Sequence, residues 1–135
     1  MTNEAVIIEL LGNKGDPIRY TVADGTAIAK GTLMRLSGDR TMIAHSAQGQ
    51  DFVGIAATEK VADDGQTSLA VYTNGIFDLV DSSAGMALGD MAKLSGTANM
   101  VMTADDNTAQ QAPEYVGKVL ETATASETVA VRILI

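Results

Sequence analysis

The hydrophobic pattern of this chain consists of short runs in which apolar and polar residues alternate. The runs are IRYTVA, TLMRLSG, TMIAH, DFVGIAAT, TSLAVYT, GIFDLV, MAKLSG, MVMTA, EYVGKVLE and TVAVRILI. Such alternation, with many β-branched residues, is typical of half-buried strands. Clusters of Gly, Asp, Asn and Ser separate the runs at the spacing expected of turns. We therefore predict an all-β fold, a small β-barrel or β-sandwich.

A polar tract, TADDNTAQQA from Thr103 to Ala112, interrupts this pattern. It has no apolar stripe at helical spacing, and it is rich in residues that favour turns. A surface loop is the prediction for this tract, and a short helix is the alternative.

One string of residues occurs twice, 58 residues apart: AIAKGTLMRLSG (Ala27–Gly38) returns as GMALGDMAKLSG (Gly85–Gly96). Later pieces also recur, FVG as YVG and SLAV as TVAV, and the extra residues of the second copy fall in the polar tract. Two copies are too few for a solenoid. Each copy alone would leave a hydrophobic sheet face in water. We predict two repeated halves of about four short strands that close one barrel or pack as one sandwich.

The repeated string is interpreted as a structural unit. Gly31 and Gly89 are expected to supply a turn conformation that other residues resist, and Leu33 and Met91 to point inward two positions later. The predicted organisation is an N-terminal arm or extra strand at residues 1–16 and one β domain at 17–135. Its halves span about 23–80 and 81–135.

The charge of the chain limits its partners. A net charge of −8 and a pI near 4.4 disfavour binding to phosphate backbones, and no window gathers Lys and Arg into a stripe. The apolar run near the N-terminus is interrupted by Glu9 and is too short to span a bilayer. We expect a protein without an export signal that binds neither nucleic acid nor membrane.

Few residues are available for catalysis or metal binding. The chain has no Cys and one His, and we expect His45 to lie solvated in a loop. The acidic pairs Asp63–Asp64, Asp78–Asp81 and Asp105–Asp106 lack the spacing of a calcium loop and are interpreted as turn residues. The turn at Lys30 is similar to that of lipoyl or biotinyl carriers, but it lacks the flanking residues of a modified lysine. We predict no enzyme activity, no metal and no cofactor.

The order of these pieces resembles the tailed-phage capsid cement, or head decoration, proteins. The likeness rests on RYTVADGTAIAKGTLMRL, DFVGIAATEKVADDGQTSLAVYTNGIFDLV, AGMALGDMAKLSG and EYVGKVLETATASETVAVRILI. The resemblance implies a virion protein, made in the host cytoplasm, that binds the outer surface of an icosahedral head. It implies a homotrimer that bridges subunits of the major capsid protein. An adhesive or carbohydrate-binding β-module is the alternative, although only five aromatic residues are present to form sugar platforms.

Two candidate interaction segments follow from the apolar pattern. The run AVIIELL precedes the repeated unit, and an unpaired apolar strand favours pairing with a partner edge. Its apolar residues are a candidate capsid-binding arm: Ala5, Val6, Ile7, Ile8, Leu10 and Leu11. The alternative is an extra strand of the protein's own barrel. Ile76, Phe77 and Leu79 are the candidate oligomer seam.

Overall fold

A computed structural model describes residues 3–10, 17–104 and 115–134 of the chain. Every regular element in these ranges is a β-strand, which confirms the predicted all-β class. The strands are β1 (Val6–Glu9), β2 (Ile18–Thr21), β3 (Leu33–Gly38), β4 (Thr41–Ala44), β5 (Phe52–Ala56), β6 (Ser68–Tyr72), β7 (Asn74–Val80), β8 (Gly85–Met86), β9 (Met91–Leu94), β10 (Val101–Thr103), β11 (Tyr115–Val119), β12 (Ala123–Thr124) and β13 (Thr128–Leu134). Most of the polar tract, and with it the choice between loop and helix, lies outside the described residues.

Five strands form a closed barrel in the order β2-β4-β3-β5-β6. The barrel closes where β2 pairs antiparallel with β6 and, at Thr21 and Thr41, parallel with β4. Alternate side chains of these strands point into the barrel, as the period of two requires. The buried interior consists of Val22, Ile28, Met34, Met42, Val53, Ala56, Leu69 and Val71.

The remaining long strands form a six-stranded sheet in the order β1-β7-β13-β11-β9-β10. Its centre is the antiparallel β7–β13 ladder, which runs from Val80 opposite Thr128 to Asn74 opposite Leu134. A parallel bridge between Asp81 and Val101 connects the end of β7 to β10. Strands β8 and β12 pair separately.

The two sequence copies have the same order of strand pairing. The first copy pairs as β4-β3-β5-β6 and the second as β10-β9-β11-β13. The barrel closes without any strand of the second half, because β2, which precedes the first half, completes it. The strands of the second copy lie instead in the larger sheet, which also contains β7 and β1.

The larger core cluster lies between the barrel and the sheet. Leu33, Phe52 and Ile55 point out of the barrel and are buried in the same cluster as Phe77 of β7.

Both predicted turn glycines have positive φ, +89° at Gly31 and +90° at Gly89. The inward position is correct for Leu33. It is wrong for Met91, which is half-buried because its neighbours Ala92 and Leu94 occupy the inner face of β9.

Candidate functional site

The candidate arm forms the edge strand of the protein's own sheet. Strand β1 pairs antiparallel with β7, with Val6 opposite Asp78 and Ile7 opposite Phe77. Its inward side chains, Ala5, Ile7 and Leu10, pack against the core. Its outward side chains remain in solvent, with 59% of Val6 and 50% of Ile8 exposed. Leu11 lies outside the described residues.

An apolar cleft of about 300 Å³ lies beside this edge strand, between β1 and the outside of the barrel. Its lining is Ala5, Val6, Ile7, Lys30, Gly31, Ile55, Ala56 and Tyr72. The N–H of Ala5 donates to the carbonyl of Gly31 at 2.7 Å, which attaches the strand to the barrel at one end of the cleft. Only glycine fits there, because a Cβ on Gly31 would lie 2.6 Å from the Ala5 carbonyl oxygen.

The three residues of the candidate oligomer seam point to opposite faces of β7. Phe77 and Leu79 are fully buried in the larger core cluster, and Phe77 lies against the ring of Tyr72 at 5.8 Å between centroids. Ile76 is half-buried on the outer face. In the folded chain, only Ile76 of the three is therefore accessible to a second subunit, since a strand alternates its side chains between its two faces.

His45 is buried at the joint between the barrel and the sheet, so the prediction of a solvated loop position is wrong. Its Nε2 lies 2.8 Å from the carbonyl oxygen of Ser95, and the N–H of Asn99 donates to its Nδ1 at 3.2 Å. This pattern requires the neutral tautomer with the proton on Nε2, because Nδ1 accepts. Both ring nitrogens therefore bind the turn between β9 and β10.

Asn99 extends this network to the N-terminal segment. Its Oδ1 accepts the N–H of Leu33 at 2.6 Å, and its Nδ2 donates to the carbonyl of Asn3 at 2.6 Å. The residue has a φ of +61°, which asparagine tolerates better than most residues. One side chain thus connects the barrel, the β9–β10 turn and the segment before β1. The sequence contains one weak signal for this connecting role: Asn99 lies in the turn between β9 and β10 of the second copy, and asparagine favours turns.

Burial lowers the pKa of His45 below its usual value. The hydrogen bond to Ser95 opposes this shift, and the positive charge of Arg35 adds to it. The imidazole is consequently neutral near pH 7, as its two hydrogen bonds require.

Of the acidic residues interpreted as turn residues, Asp78 lies within strand β7, opposite Ala130, so that interpretation is wrong for it. Asp64 accepts from the N–H groups of Val61 and Gln66 and from Nζ of the buried Lys60, which forms a turn as predicted. Asp81 is buried, and its Oδ1 accepts from the N–H and hydroxyl of Ser83. Within residues 3–10, 17–104 and 115–134, no three His, Cys, Asp or Glu side chains converge on a possible metal position. No described helix could cross a membrane.

Comparison with known proteins gives one family and a structural neighbour. A family model described as phage cement protein matches residues 12–134. The crystal structure of the head fiber gp8.5 N base in bacteriophage phi29 aligns with a TM-score of 0.54 and 16% identity, over 87% of this chain and 93% of that chain. At this identity the likeness shows the fold alone. Comparison with curated proteins found no match.

Proposed function

Because the chain belongs to the phage cement protein family, we propose that it binds the outer surface of an assembled icosahedral head and bridges subunits of the major capsid protein. The observation that carries the proposal is the family match over residues 12–134, which covers both sequence copies. Membership makes this a phage capsid-associated structural protein. The chain does not need a reactive centre for this role, since its effect comes from the contacts it adds.

The physical basis of the proposed stabilisation is multivalency. A trimer on a symmetric lattice point contacts several capsid subunits at once, so that each contact after the first is intramolecular. Linked contacts of this kind raise avidity by roughly 100-fold to 10,000-fold over a single contact. Modest individual surfaces are therefore sufficient to hold neighbouring capsomers together.

The outward residues of β1 are the proposed capsid contact of the arm. Val6 and Ile8 are exposed, and among the described strands β1 has β7 as its single neighbour in the sheet. An edge strand with exposed apolar side chains favours pairing with another chain. The inward residues Ala5, Ile7 and Leu10 serve instead to attach the strand to its own core.

The proposal is tested by mixing the protein with empty heads of the cognate phage and measuring the bound protein after sedimentation. We expect saturable binding at a fixed number of copies per head, and a higher temperature of head disruption in the decorated sample. Heads that bind no protein, or that bind it without any change in disruption temperature, would contradict the cement role.

The arm contact has its own test, the double variant Val6→Ser with Ile8→Ser. Both side chains are exposed, so the fold is expected to persist while the affinity for heads falls. The matched control is Ile18→Ser, an exposed apolar residue on β2 of the barrel. Equal affinity of the arm variant and the control would remove the arm from the proposal and leave the rest intact.

A further inference from the structure

Asp81, which directly follows β7, is a fully buried acidic residue with one oxygen atom left unpaired. Its Oδ1 accepts from the N–H of Ser83 at 2.8 Å and from the hydroxyl of Ser83 at 2.6 Å. Its Oδ2 has no hydrogen-bond partner among the described residues. Buried charged groups in proteins are paired or coordinate a metal, because removal from water costs them a large free energy. Asp81 Oδ2 is therefore available to a ligand.

The backbone position of Asp81 does not require a carboxylate, since a matching position in the barrel carries a valine. Each of the two residues donates its N–H to a carbonyl oxygen at 3.0 Å, and the residue before each lies opposite the first residue of a neighbouring strand. The contacts are Val22 N to Thr67 O with Thr21 opposite Ser68, and Asp81 N to Glu127 O with Val80 opposite Thr128. Val22 is buried in the apolar interior of the barrel. The carboxylate of Asp81 is therefore not a demand of packing.

Three further oxygen atoms lie next to this carboxylate. The hydroxyl of Ser83, 2.6 Å from Asp81 Oδ1, is 3.3 Å from the carbonyl oxygen of Gly85. The hydroxyl of Thr103 on β10 lies 3.3 Å from the same carbonyl oxygen. Ser83, Gly85 and Thr103 are half-buried, so the group is accessible from solvent. We call these four groups, the Asp81 carboxylate included, the Asp81 oxygen cluster.

Thr103 also has an apolar counterpart in the barrel, Ala44. Thr103 lies opposite Ala92 in the β9–β10 ladder, as Ala44 lies opposite Met34 in the β3–β4 ladder. The residue after each donates its N–H to the first residue of the facing strand at 2.8 Å, in the pairs His45 to Leu33 and Ala104 to Met91. Oxygen-bearing side chains thus replace apolar ones at two matching positions, on separate parts of the chain that meet in the cluster.

A buried ammonium group of the chain itself lies at the corresponding end of the barrel. Nζ of Lys60 donates to the carbonyl of Asp24 at 2.5 Å and to Oδ1 of Asp64 at 3.2 Å, and the Lys60 side chain is fully buried. Asp24 comes two residues after Val22, as Ser83 comes two residues after Asp81. In the barrel, therefore, the oxygens at this end bind a cation that the protein supplies.

The residue that matches Lys60 in the second copy is an alanine. Lys60 lies opposite Ile28 in an isolated antiparallel bridge, and Ala123 lies opposite Met86 in the antiparallel β8–β12 pair. Ile28 and Met86 occupy the same place in the repeated string. The second copy thus has oxygens around Asp81 without the lysine that carries the positive charge in the barrel.

We propose that the Asp81 oxygen cluster binds a calcium ion. Calcium takes carboxylate, carbonyl and water oxygens at about 2.3 to 2.6 Å, so two ligands at right angles are about 3.3 to 3.7 Å apart. The two separations of 3.3 Å at the Gly85 carbonyl fit this spacing. Magnesium holds its ligands at about 2.0 to 2.1 Å and would require oxygens about 2.9 Å apart. Asp81 Oδ2 supplies the negative charge, and the carbonyl, the hydroxyls and water supply the neutral ligands.

A calcium ion in the Asp81 oxygen cluster would connect three strands. Asp81 follows β7, Gly85 belongs to β8 and Thr103 to β10, and an isolated bridge from Asp81 to Val101 joins the end of β7 to β10. The ion is expected to stabilise the folded state, because the unfolded chain does not hold these oxygens together. Since the ligands come from separate stretches of the chain, no calcium-loop spacing predicts the site.

The first experiment measures calcium binding by equilibrium dialysis with radioactive calcium, on the full chain without phage heads. The site has one carboxylate, so we expect about one ion per chain with a dissociation constant of about 10⁻⁴ to 10⁻³ M. The unfolding temperature should rise with calcium at constant ionic strength, and it should rise less with an equal concentration of magnesium. Because no heads are present, the result is independent of the proposed cement function.

Two variants take their substitutions from the matching positions of the barrel. Asp81→Val should abolish both the bound calcium and the calcium-dependent rise in unfolding temperature. Thr103→Ala leaves the buried acid in place and should weaken binding at least about three-fold, since one neutral ligand is lost. The matched control is Asp78→Asn, which removes a half-buried carboxylate of β7 outside the cluster and should bind calcium like the unmodified protein.

The proposal is wrong if the unmodified protein binds no calcium, or if Asp81→Val binds it with undiminished affinity. Loss of binding in Asp78→Asn equal to that in Asp81→Val would also overturn it, because the ions would then respond to the net charge of the chain rather than to this site. Should Asp81→Val fail to fold by circular dichroism, Thr103→Ala decides, and unchanged affinity in that variant contradicts the assigned ligands.

Discussion

Replacing Asn99 by glycine should destabilise the joint between the barrel and the sheet. The change deletes the acceptor of the Leu33 N–H and the donor to the Asn3 carbonyl, while it leaves the positive φ at this position unstrained. The Leu33 N–H is buried, so losing its acceptor costs about 1 to 3 kcal/mol, and the bond to Asn3 contributes about 0.5 to 1.5 kcal/mol. We expect the free energy of unfolding to fall by about 1.5 to 4.5 kcal/mol.

Asn99→Ala is the companion variant. It loses the same two hydrogen bonds and adds a Cβ-bearing residue other than Asn in the left-handed region, which costs about 1 kcal/mol more. Urea denaturation, followed by far-UV circular dichroism, measures both variants against the unmodified protein. A glycine variant within about 0.5 kcal/mol of the unmodified protein would refute the assignment of Asn99 as a joint residue, and so would an alanine variant more stable than the glycine variant.

Three further predictions test other parts of the structure. Because the pKa of His45 is lowered in the folded protein, the unfolded chain takes up a proton first as the pH falls below about 6.5. The free energy of unfolding should therefore decline from there toward the folded-state pKa, by at most about 1.4 kcal/mol per pH unit. Denaturation curves of His45→Gln between pH 7 and 5.5 should lack this pH-dependent loss of stability. Phe77→Ala should cost about 3 to 5 kcal/mol, whereas Ile76→Ala on the outer face should cost less than about 1.5 kcal/mol, and equal losses in thermal unfolding would contradict the assigned faces of β7. Gly31→Ala should destabilise more than Gly89→Ala, although both positions have φ near +90°, because only the first Cβ meets the N-terminal strand; equal shifts in unfolding midpoint would contradict the attachment of that strand.

The sequence predicted the elements that depend on local pattern. The alternation in DFVGIAAT and TVAVRILI places β5 and β13, and the glycines of the repeated string have the positive φ expected of them. The division of the strands between a barrel and a larger sheet could not be predicted in this way. It depends on β2 and β7, whose pairing partners are distant in sequence and are selected by packing rather than by local preference.

The candidate site was less accessible to sequence reasoning, because burial at a joint has no local pattern. His45 stands between the run TMIA and the stretch SAQGQ, which is typical of a loop, yet contacts with Ser95 and Asn99 from the second copy bury it. In the seam, alternation would have assigned Phe77 and Leu79 to one face and Ile76 to the other, but the choice of the buried face required the sheet.

The central claim, that this protein decorates the outside of a phage head, is tested most directly by cryo-electron microscopy of cognate heads with and without it. The account predicts difference density on the outer surface, at three-fold or quasi-three-fold positions, that spans neighbouring capsid subunits and fits the barrel and the six-stranded sheet. Absence of that density at saturating protein, or density confined to the inner surface, would contradict it.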